Sequence, residues 1–265
     1  MTIRAIRLIR GLTVATVLPH ARIRNTSYPH SFGERNGWSP PCCGGTRELS
    51  FVARISLATA IDEVATRDPV MANLVEKVGP IRYLPRFPDG AFGFVVRAIV
   101  SQEISAAAAQ AIIGRTAAAV GGLFSPEAFG TVSDETLRTA GLSRNKIASL
   151  RDLSAKVLDG TVDLNISTRR GDEEIITRLS TVRGIGRWSA EMYLMHCLRR
   201  LDVWPVADLD VREGFGLAWR IDPAPTAKEL KPLGDPFRPY RSIVARYCQE
   251  AVFLHRGGTD PWGTG

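Results

Sequence analysis

The chain has 265 residues, of which 45% are hydrophobic and 23% are charged, and its formal net charge is +7. This composition is typical of a folded globular protein and excludes collagen-like, low-complexity and disulfide-scaffold proteins. Residues 1–50 hold seven Arg and two Glu, whereas the remainder carries 27 basic and 25 acidic side chains. Any nucleic-acid site must therefore be argued from local residues and not from bulk charge.

The first 50 residues differ from the rest of the chain. They are rich in Arg, Ser, Pro and Gly with little periodicity, which predicts a disordered basic N-terminal extension. A start codon assigned too far upstream would give the same pattern. Gly11–Leu18 resembles a weak signal peptide but lacks a small-residue cleavage site, no apolar run reaches 18 residues, and the four Cys lack zinc spacing. We therefore expect a cytoplasmic protein without membrane contact.

From about residue 55 onward the signals are helical. Asp68 precedes a helix-opening Pro69, and this helix is predicted to run to Val78. Ala91–Val100 is apolar on nearly all sides and predicts a buried helix. Strand-like alternation is scarce and is limited to short stretches such as Val203–Val206. The other predicted helices are Ser105–Val120, a short one between Ser133 and Gly141, Asn145–Leu158, Glu173–Leu179, Trp188–Arg199 and Arg241–Leu254. We predict an all-α protein of about ten helices.

Two glycines close together follow a helix that is predicted to end near Val182. Gly184 and Gly186 flank Ile185, which can anchor the turn in the core, and another helix follows. Glycines allow a tight turn and close approach to another molecule. The amides at the start of the next helix suit a phosphate oxygen, and Arg187 adds positive charge. The alternative is an ordinary helix–turn–helix corner with a glycine C-cap.

A second informative segment follows the glycine turn about 20 residues later, and it places a carboxylate at the predicted start of a further helix. Pro205 breaks the chain and Asp208 follows it. Asp208 alone is explained as an N-cap, and the functional alternative is a carboxylate held at a helix start for catalysis. Asp210 is a rival carboxylate two residues further on.

Taken together, the segment Gly184–Ala190 and Asp208 resemble the helix-hairpin-helix (HhH-GPD) DNA glycosylases. The sequence Gly-Ile-Gly-Arg-Trp-Ser-Ala is most similar to the 3-methyladenine DNA glycosylase II branch. Val96–Ser105, Gly141–Lys146 and Pro239–Ser242 also resemble segments of that branch, in the same order. The resemblance covers about residues 55–255. It implies a glycosylase core over residues 51–260, built as two helical lobes with a DNA cleft between them.

The resemblance implies a monofunctional DNA N-glycosylase of base excision repair. Such an enzyme flips a damaged base out of double-stranded DNA, excises an alkylated purine of the 3-methyladenine type and leaves an abasic site. Asp208 would stabilise the oxocarbenium-like sugar or activate the attacking water. The implied DNA contacts are Gly184, Gly186, Arg187, Ser189, Gln102 and Glu103. The alternatives are a glycosylase for deaminated or mismatched bases such as hypoxanthine or uracil, and a non-catalytic DNA-binding module.

The resemblance also implies the base pocket and the cofactors. Lyase-type relatives carry a Lys where this chain has Trp188, so no amine nucleophile is expected there. Trp188, Tyr193 and Gln249 are the predicted pocket residues, with core packing as the alternative for the two aromatic residues. The backbone carbonyls of Val182, Arg183 and Ile185 are candidates for holding a K⁺ or Na⁺ ion. No other cofactor is expected, and the family favours a monomer.

Two positions depart from the family pattern. Glu103 stands where the branch usually has a second Gln, and a carboxylate there would face negatively charged DNA. Gln249 stands where the branch commonly has a Trp that stacks on the base. A hydrogen-bonding Gln could shift the preference from cationic alkylated bases toward neutral ones.

Overall fold

A computed structural model describes residues 55–83, 88–164 and 169–257 of the chain. Every regular element in these ranges is a helix, so the all-α prediction is confirmed. The predicted N-terminal extension, residues 1–50, lies outside the described residues. Among the described helices, none has both the length and the apolar character to cross a membrane.

The described residues form twelve α-helices and one short 3₁₀ helix, two more α-helices than the ten expected. They are α1 (Leu57–Arg67), α2 (Pro69–Val78), α3 (Gly90–Ser101), α4 (Ala106–Ala119), α5 (Pro126–Thr131), α6 (Asp134–Thr139), α7 (Arg144–Leu158), α8 (Asp172–Leu179), α9 (Arg187–His196), α10 (Leu209–Trp219), α11 (Ala227–Leu233) and α12 (Arg241–His255), with the 3₁₀ helix at Asp235–Phe237.

Side-chain caps explain where most of these helices begin. Eight of the twelve start after a Ser, Thr or Asp whose side chain accepts a hydrogen bond from an amide of the first turn, and this satisfies a donor that the helix leaves unpaired. Asp68, which was predicted as the cap of α2, accepts from both Val70 and Met71. The eight capping residues are Ser56, Asp68, Ser105, Ser125, Ser133, Ser143, Asp208 and Thr226.

The principal helix packings fall into two groups. In one group α10 packs along α12, and both contact α2, which also packs on α1. In the other, α3 contacts α4, α7 and α9, while α5 and α6 pack on α7 and α8 packs on α9. This grouping agrees with the expected two-lobed fold. A DNA cleft between the two groups stays a prediction.

Two local predictions differ from the structure. The helix expected to reach Arg199 ends at His196, and Arg199 takes a left-handed conformation with φ of 56°. Val203–Val206 does not form a strand, because the Val203 amide donates to the Ser242 hydroxyl and the Val206 amide to the Trp204 carbonyl. One of these amides is therefore satisfied by α12 and the other within the loop, and neither pairs with another strand.

Candidate functional site

The two-glycine turn predicted between α8 and α9 is present, and its glycines have different roles. Gly184 has a φ of +76°, and a Cβ there would lie 2.8 Å from the Ser149 hydroxyl. Gly186 has a φ of −95° and open space around it. Because only a glycine accepts the left-handed conformation cheaply, Gly184 is required by the turn itself. Gly186 is free of that constraint and caps α9. We call residues 180–189 the hairpin.

Buried side chains anchor the hairpin in the core. Val182 and Ile185 are both buried, and the Ile185 amide donates to the Val182 carbonyl at 3.0 Å. The predicted anchoring role of Ile185 is therefore confirmed. The hydrogen bond within the turn and these two buried side chains together fix the position of the exposed glycines.

Helix α7 holds the hairpin from behind through an ion pair. Asp152 accepts hydrogen bonds from the Arg183 amide at 2.7 Å and from the Lys156 ammonium at 2.8 Å. The same ammonium donates to the Thr181 carbonyl at 2.5 Å. The hydrogen bond from Lys156, followed by that from the Arg183 amide, lowers the pKa of Asp152. Asp152 and Lys156 thus fix both sides of the turn, and the sequence analysis missed them.

The junction after α3 contacts the hairpin from another direction. The Gln102 side-chain amide donates to the Gly184 carbonyl at 3.0 Å. Glu103 is exposed and left-handed, with φ of 62°. The Lys146 ammonium donates to the carbonyls of Val100 and Gln102, each at 2.8 Å, and so closes the end of α3. The structure therefore brings Gln102 to the hairpin and leaves Glu103 at the surface beside it.

The start of α9 is open to an anion. Its N-cap is Gly186, which offers no side-chain acceptor to the first-turn amides. Gly184, Gly186 and Arg187 are exposed, and Ser189 is partly buried. A helix N-terminus combines free N–H donors with the positive end of the helix dipole, and this combination suits a phosphate oxygen.

Arg187 is at the predicted position, but its guanidinium is already engaged. Its two Nη atoms donate to the two carboxylate oxygens of Glu173, one pair at 2.9 Å. Its Nε donates to Glu191 at 3.0 Å. The Arg187 side chain is nevertheless 57% exposed, so a phosphate can reach it by replacing Glu173.

Asp208 is both a helix cap and a buried carboxylate. Only 2% of the residue is exposed. Its Oδ1 accepts from the Val211 amide at 2.9 Å, which caps α10, and its Oδ2 accepts from the Trp188 indole at 2.7 Å and from the Gln249 amide at 3.3 Å. Three N–H donors match a carboxylate in its ionised, acceptor-only form. The cap and the functional interpretations are thus satisfied by one geometry.

Asp210, the rival carboxylate, has another environment. It forms an ion pair with Arg256 at 3.0 Å, and the same arginine also pairs with Glu213. This network joins α10 to the end of α12. Because Asp210 is committed to a structural ion pair, Asp208 is the stronger candidate for chemistry.

The predicted pocket residues are placed differently from the expectation. Trp188 and Gln249 each donate an N–H hydrogen bond to Asp208, and Gln249 is only 5% exposed. A base-pocket role for these two residues stays a prediction. Tyr193 is 1% exposed and lines a cavity of about 10 Å³ beneath the hairpin, beside Ile185 and Ser189. Burial raises the pKa of its phenol. This is the core-packing alternative for Tyr193; a base-pocket role stays a prediction.

Glu191 is a second buried acidic residue that the sequence analysis missed. It is 4% exposed, and burial raises its pKa to about 7, against the lowering effect of Arg187. The i, i+4 spacing of Arg187 and Glu191 on a predicted helix was the available signal.

Close packing of α10 on α12 brings Gln249 to Asp208. A Cβ at Gly214 would lie 2.0 Å from the Cys248 carbonyl oxygen, so only glycine permits this approach. Because Gln249 follows Cys248 on α12, the approach carries its side chain to the start of α10.

Comparisons with known proteins agree with this geometry. The profile described as "HhH-GPD superfamily base excision DNA repair protein" matches residues 96–239. The alkylbase DNA glycosidase-like protein mag2 of Schizosaccharomyces pombe is 31% identical over 72% of this chain and 92% of its own length. The DNA-3-methyladenine glycosylase 1 of the same yeast is 33% identical over 58% of this chain and 68% of its own.

Solved structures with similar names also superpose on this chain. The DNA-3-methyladenine glycosidase of Bacillus halodurans superposes with a TM-score of 0.68 at 30% identity, covering 77% of this chain and 93% of that one. The S. pombe 3-methyladenine DNA glycosylase Mag1, in complex with abasic DNA, gives a TM-score of 0.63 at 30% identity, covering 72% and 95%.

Proposed function

The chain belongs to the HhH-GPD superfamily of base excision DNA repair proteins, and from this premise we propose that it is a monofunctional DNA N-glycosylase that removes alkylated purines of the 3-methyladenine type. The observation that carries the proposal is the buried Asp208 carboxylate, which lies at the start of α10 and accepts a hydrogen bond from the Trp188 indole of α9. Relatives named as 3-methyladenine glycosylases support the substrate class.

The first step is binding of the DNA backbone. The first-turn amides of α9 and the exposed Arg187 would bind phosphate without reading the base sequence. Asp152, Lys156 and Gln102 hold the hairpin from within the protein. A rigid support means that little ordering is needed when DNA binds.

The second step is cleavage of the glycosidic bond. The damaged base must leave the stack before its sugar can meet a protein carboxylate. As the bond breaks, positive charge develops on the sugar, and the ionised Asp208 would stabilise it or orient the attacking water. The Trp188 and Gln249 donors hold Oδ2 in place. Trp188 also occupies the position at which lyase-type relatives carry Lys, so the product would be an intact abasic site.

A monovalent cation at the carbonyls of Val182, Arg183 and Ile185 stays a prediction. The Val182 carbonyl already accepts the Ile185 amide, and Lys156 places an ammonium on the neighbouring Thr181 carbonyl. Within the described ranges, no cluster of three or more His, Cys, Asp or Glu side chains is suited to a metal ion. The steps proposed here use only the protein's own groups.

The remaining proposals concern the substrate and the setting. We propose double-stranded DNA with a damaged base as the partner, a monomer as the active form, and a cytoplasmic location. Gln249 donates a hydrogen bond to Asp208, and selection of deaminated bases such as hypoxanthine or uracil stays the alternative. A purely DNA-binding module would need only an N-cap for α10, which Ser or Asn provides without the desolvation cost of a buried carboxylate.

The test is base release under single-turnover conditions. Duplex DNA methylated by an alkylating agent is incubated with the wild-type protein, and the released bases are separated by chromatography; duplexes with hypoxanthine or uracil are run in parallel. We expect release of 3-methyladenine and a strand that breaks only after alkali treatment. Absence of any alkylated base among the products, or strand breakage without alkali, would contradict the proposal.

A further inference from the structure

One guanidinium links the surface beside the hairpin to a buried carboxylate. The Nη atoms of Arg187 hold the carboxylate of Glu173, which is itself on the exposed face of α8. The Nε of the same guanidinium holds Glu191, whose side chain is 6% exposed. The Nη edge of Arg187 therefore faces outward, where an external anion can replace Glu173. Its Nε faces inward and contacts the buried Glu191.

The charge on Glu191 is finely balanced. Three charged groups act on it among the described residues: Arg187 on its own helix, Glu173 from α8 and Asp208 from the start of α10. Burial raises its pKa, Arg187 lowers it, and the two carboxylates raise it, with a result of about 7. At physiological pH the proton occupancy of Glu191 is thus sensitive to any change around Arg187.

DNA at the hairpin would keep one anion on the Nη edge of Arg187 and add negative charge around it. A phosphate offers two oxygens to the Nη edge, as Glu173 does, so it can replace that carboxylate. The bound duplex also excludes water from the partly exposed Arg187 and brings further phosphate charges. Desolvation and added negative charge both favour the neutral form of a carboxyl group.

We propose that Glu191 is a positioning residue which takes up one proton from solvent when the hairpin binds DNA, and thereby leaves Asp208 as the ionised carboxylate of the site. The proposal rests on the proposed function. Only one O–H bond forms, and it breaks again when the DNA leaves. Two nearby carboxylates with opposed protonation states are a common way to divide roles at neutral pH.

Calorimetry measures the proton directly. The wild-type protein is titrated near neutral pH with a duplex that contains a tetrahydrofuran abasic-site analogue, in two buffers with different ionisation enthalpies. We expect net uptake of a proton, and an affinity that weakens by up to about tenfold per pH unit between the pKa of Glu191 in the free protein and its higher pKa in the complex. Glu191→Gln should abolish the uptake and flatten the pH dependence.

The matched control is Glu174→Gln. Glu174 lies on α8 next to Glu173, is exposed, and pairs with Arg170 and Arg178. This variant should keep the proton uptake of the wild type. A histidine that titrates elsewhere would leave the uptake unchanged in Glu191→Gln, so the two variants together identify the group.

The outcomes separate the inference from the proposed function. Tight wild-type binding without proton uptake, or equal uptake by Glu191→Gln, would overturn the role of Glu191 and leave DNA binding intact. Failure of the wild type to bind the duplex would overturn both. If Glu191→Gln does not fold, Arg187→Met replaces it, titrated at concentrations at which it still binds the duplex. Removing the Arg187 charge should protonate Glu191 before DNA arrives, so the bound complex should form without uptake, and persistent uptake would refute the proposal.

Discussion

Helices α9 and α10 begin in opposite ways. Helix α9 starts at an exposed glycine that provides no side-chain acceptor. Helix α10 starts at Asp208, which is almost fully buried and accepts an amide of its own helix. An open N-terminus keeps its donors for an external anion, whereas a capped one uses a carboxylate internally and keeps a negative charge in place. The first start suits binding and the second suits chemistry.

The two starts are connected through one side chain. Trp188 lies in the first turn of α9, and its indole donates to Asp208 at the start of α10. The carboxylate proposed as catalytic is therefore held in part by the helix that would bind the phosphate. The comparison predicts that changes at α10 impair the reaction, changes at the hairpin impair binding, and changes at Trp188 impair the reaction through Asp208.

The largest effect is expected for Asp208→Asn. Loss of a charge that stabilises the transition state typically costs on the order of 10²-fold to 10³-fold in rate. Because Asn is also a good N-cap, α10 should stay folded. The measurement is single-turnover base release from methylated duplex. Asp210→Asn is the control and should keep the wild-type rate; a slow Asp210→Asn with a normal Asp208→Asn would reverse the assignment.

A smaller loss is expected for Trp188→Phe. The ring is kept but the indole N–H is lost, and a hydrogen bond to a charged group contributes about 1.5–3 kcal/mol. We expect base release to slow by about 10-fold to 100-fold, since 1.4 kcal/mol corresponds to a factor of ten. Trp219→Phe removes a comparable indole bond, to Asp68 at 3.4 Å, away from the site. Equal slowing in both variants would argue against a specific role for Trp188.

The hairpin glycines offer a matched pair of substitutions. Gly184→Ala forces a Cβ into the left-handed region and toward Ser149, with an expected cost of about 1–2 kcal/mol. Gly186→Ala meets open space and an ordinary φ, so it should change little. The measurements are the melting temperature and the affinity for an abasic-analogue duplex. Equal behaviour of the two variants would contradict the distinct roles of these glycines.

The smallest effect is expected for Gln249→Leu. Its hydrogen bond to Asp208 is longer, at 3.3 Å, and Trp188 remains on the same oxygen. A typical net contribution of about 1 kcal/mol predicts a rate loss of only several-fold. The released bases should be profiled as well as the rate. Preferential release of hypoxanthine by the wild type that is lost in Gln249→Leu would support the alternative that Gln249 selects the base.

The sequence was sufficient for features that rest on local chemistry. The turn at Gly184, the open start of α9 and the cap at Asp208 all follow from backbone requirements of a few adjacent residues. The short helices α5 and α11 were not predicted, although a side-chain cap marks the first turn of each, as one marks the equally short α6 that was predicted. Local patterns thus located both helix starts.

The rest of the site depends on packing between distant segments. Trp188, Asp208 and Gln249 come from three elements, and Gly214 lets α10 approach α12 closely enough for Gln249 to reach Asp208. The sequence also left open which face of α9 holds Tyr193, and packing turned it into the core. Donors to a buried carboxylate cannot be inferred until these faces are known.

The most direct test of the division between the two helix starts is a side-by-side titration of Asp208→Asn and Gly184→Ala with a duplex containing an abasic-site analogue. The account predicts that Asp208→Asn binds at least as tightly as the wild type while its base release is lost, and that Gly184→Ala binds more weakly. Weak binding by Asp208→Asn together with wild-type binding by Gly184→Ala would contradict it.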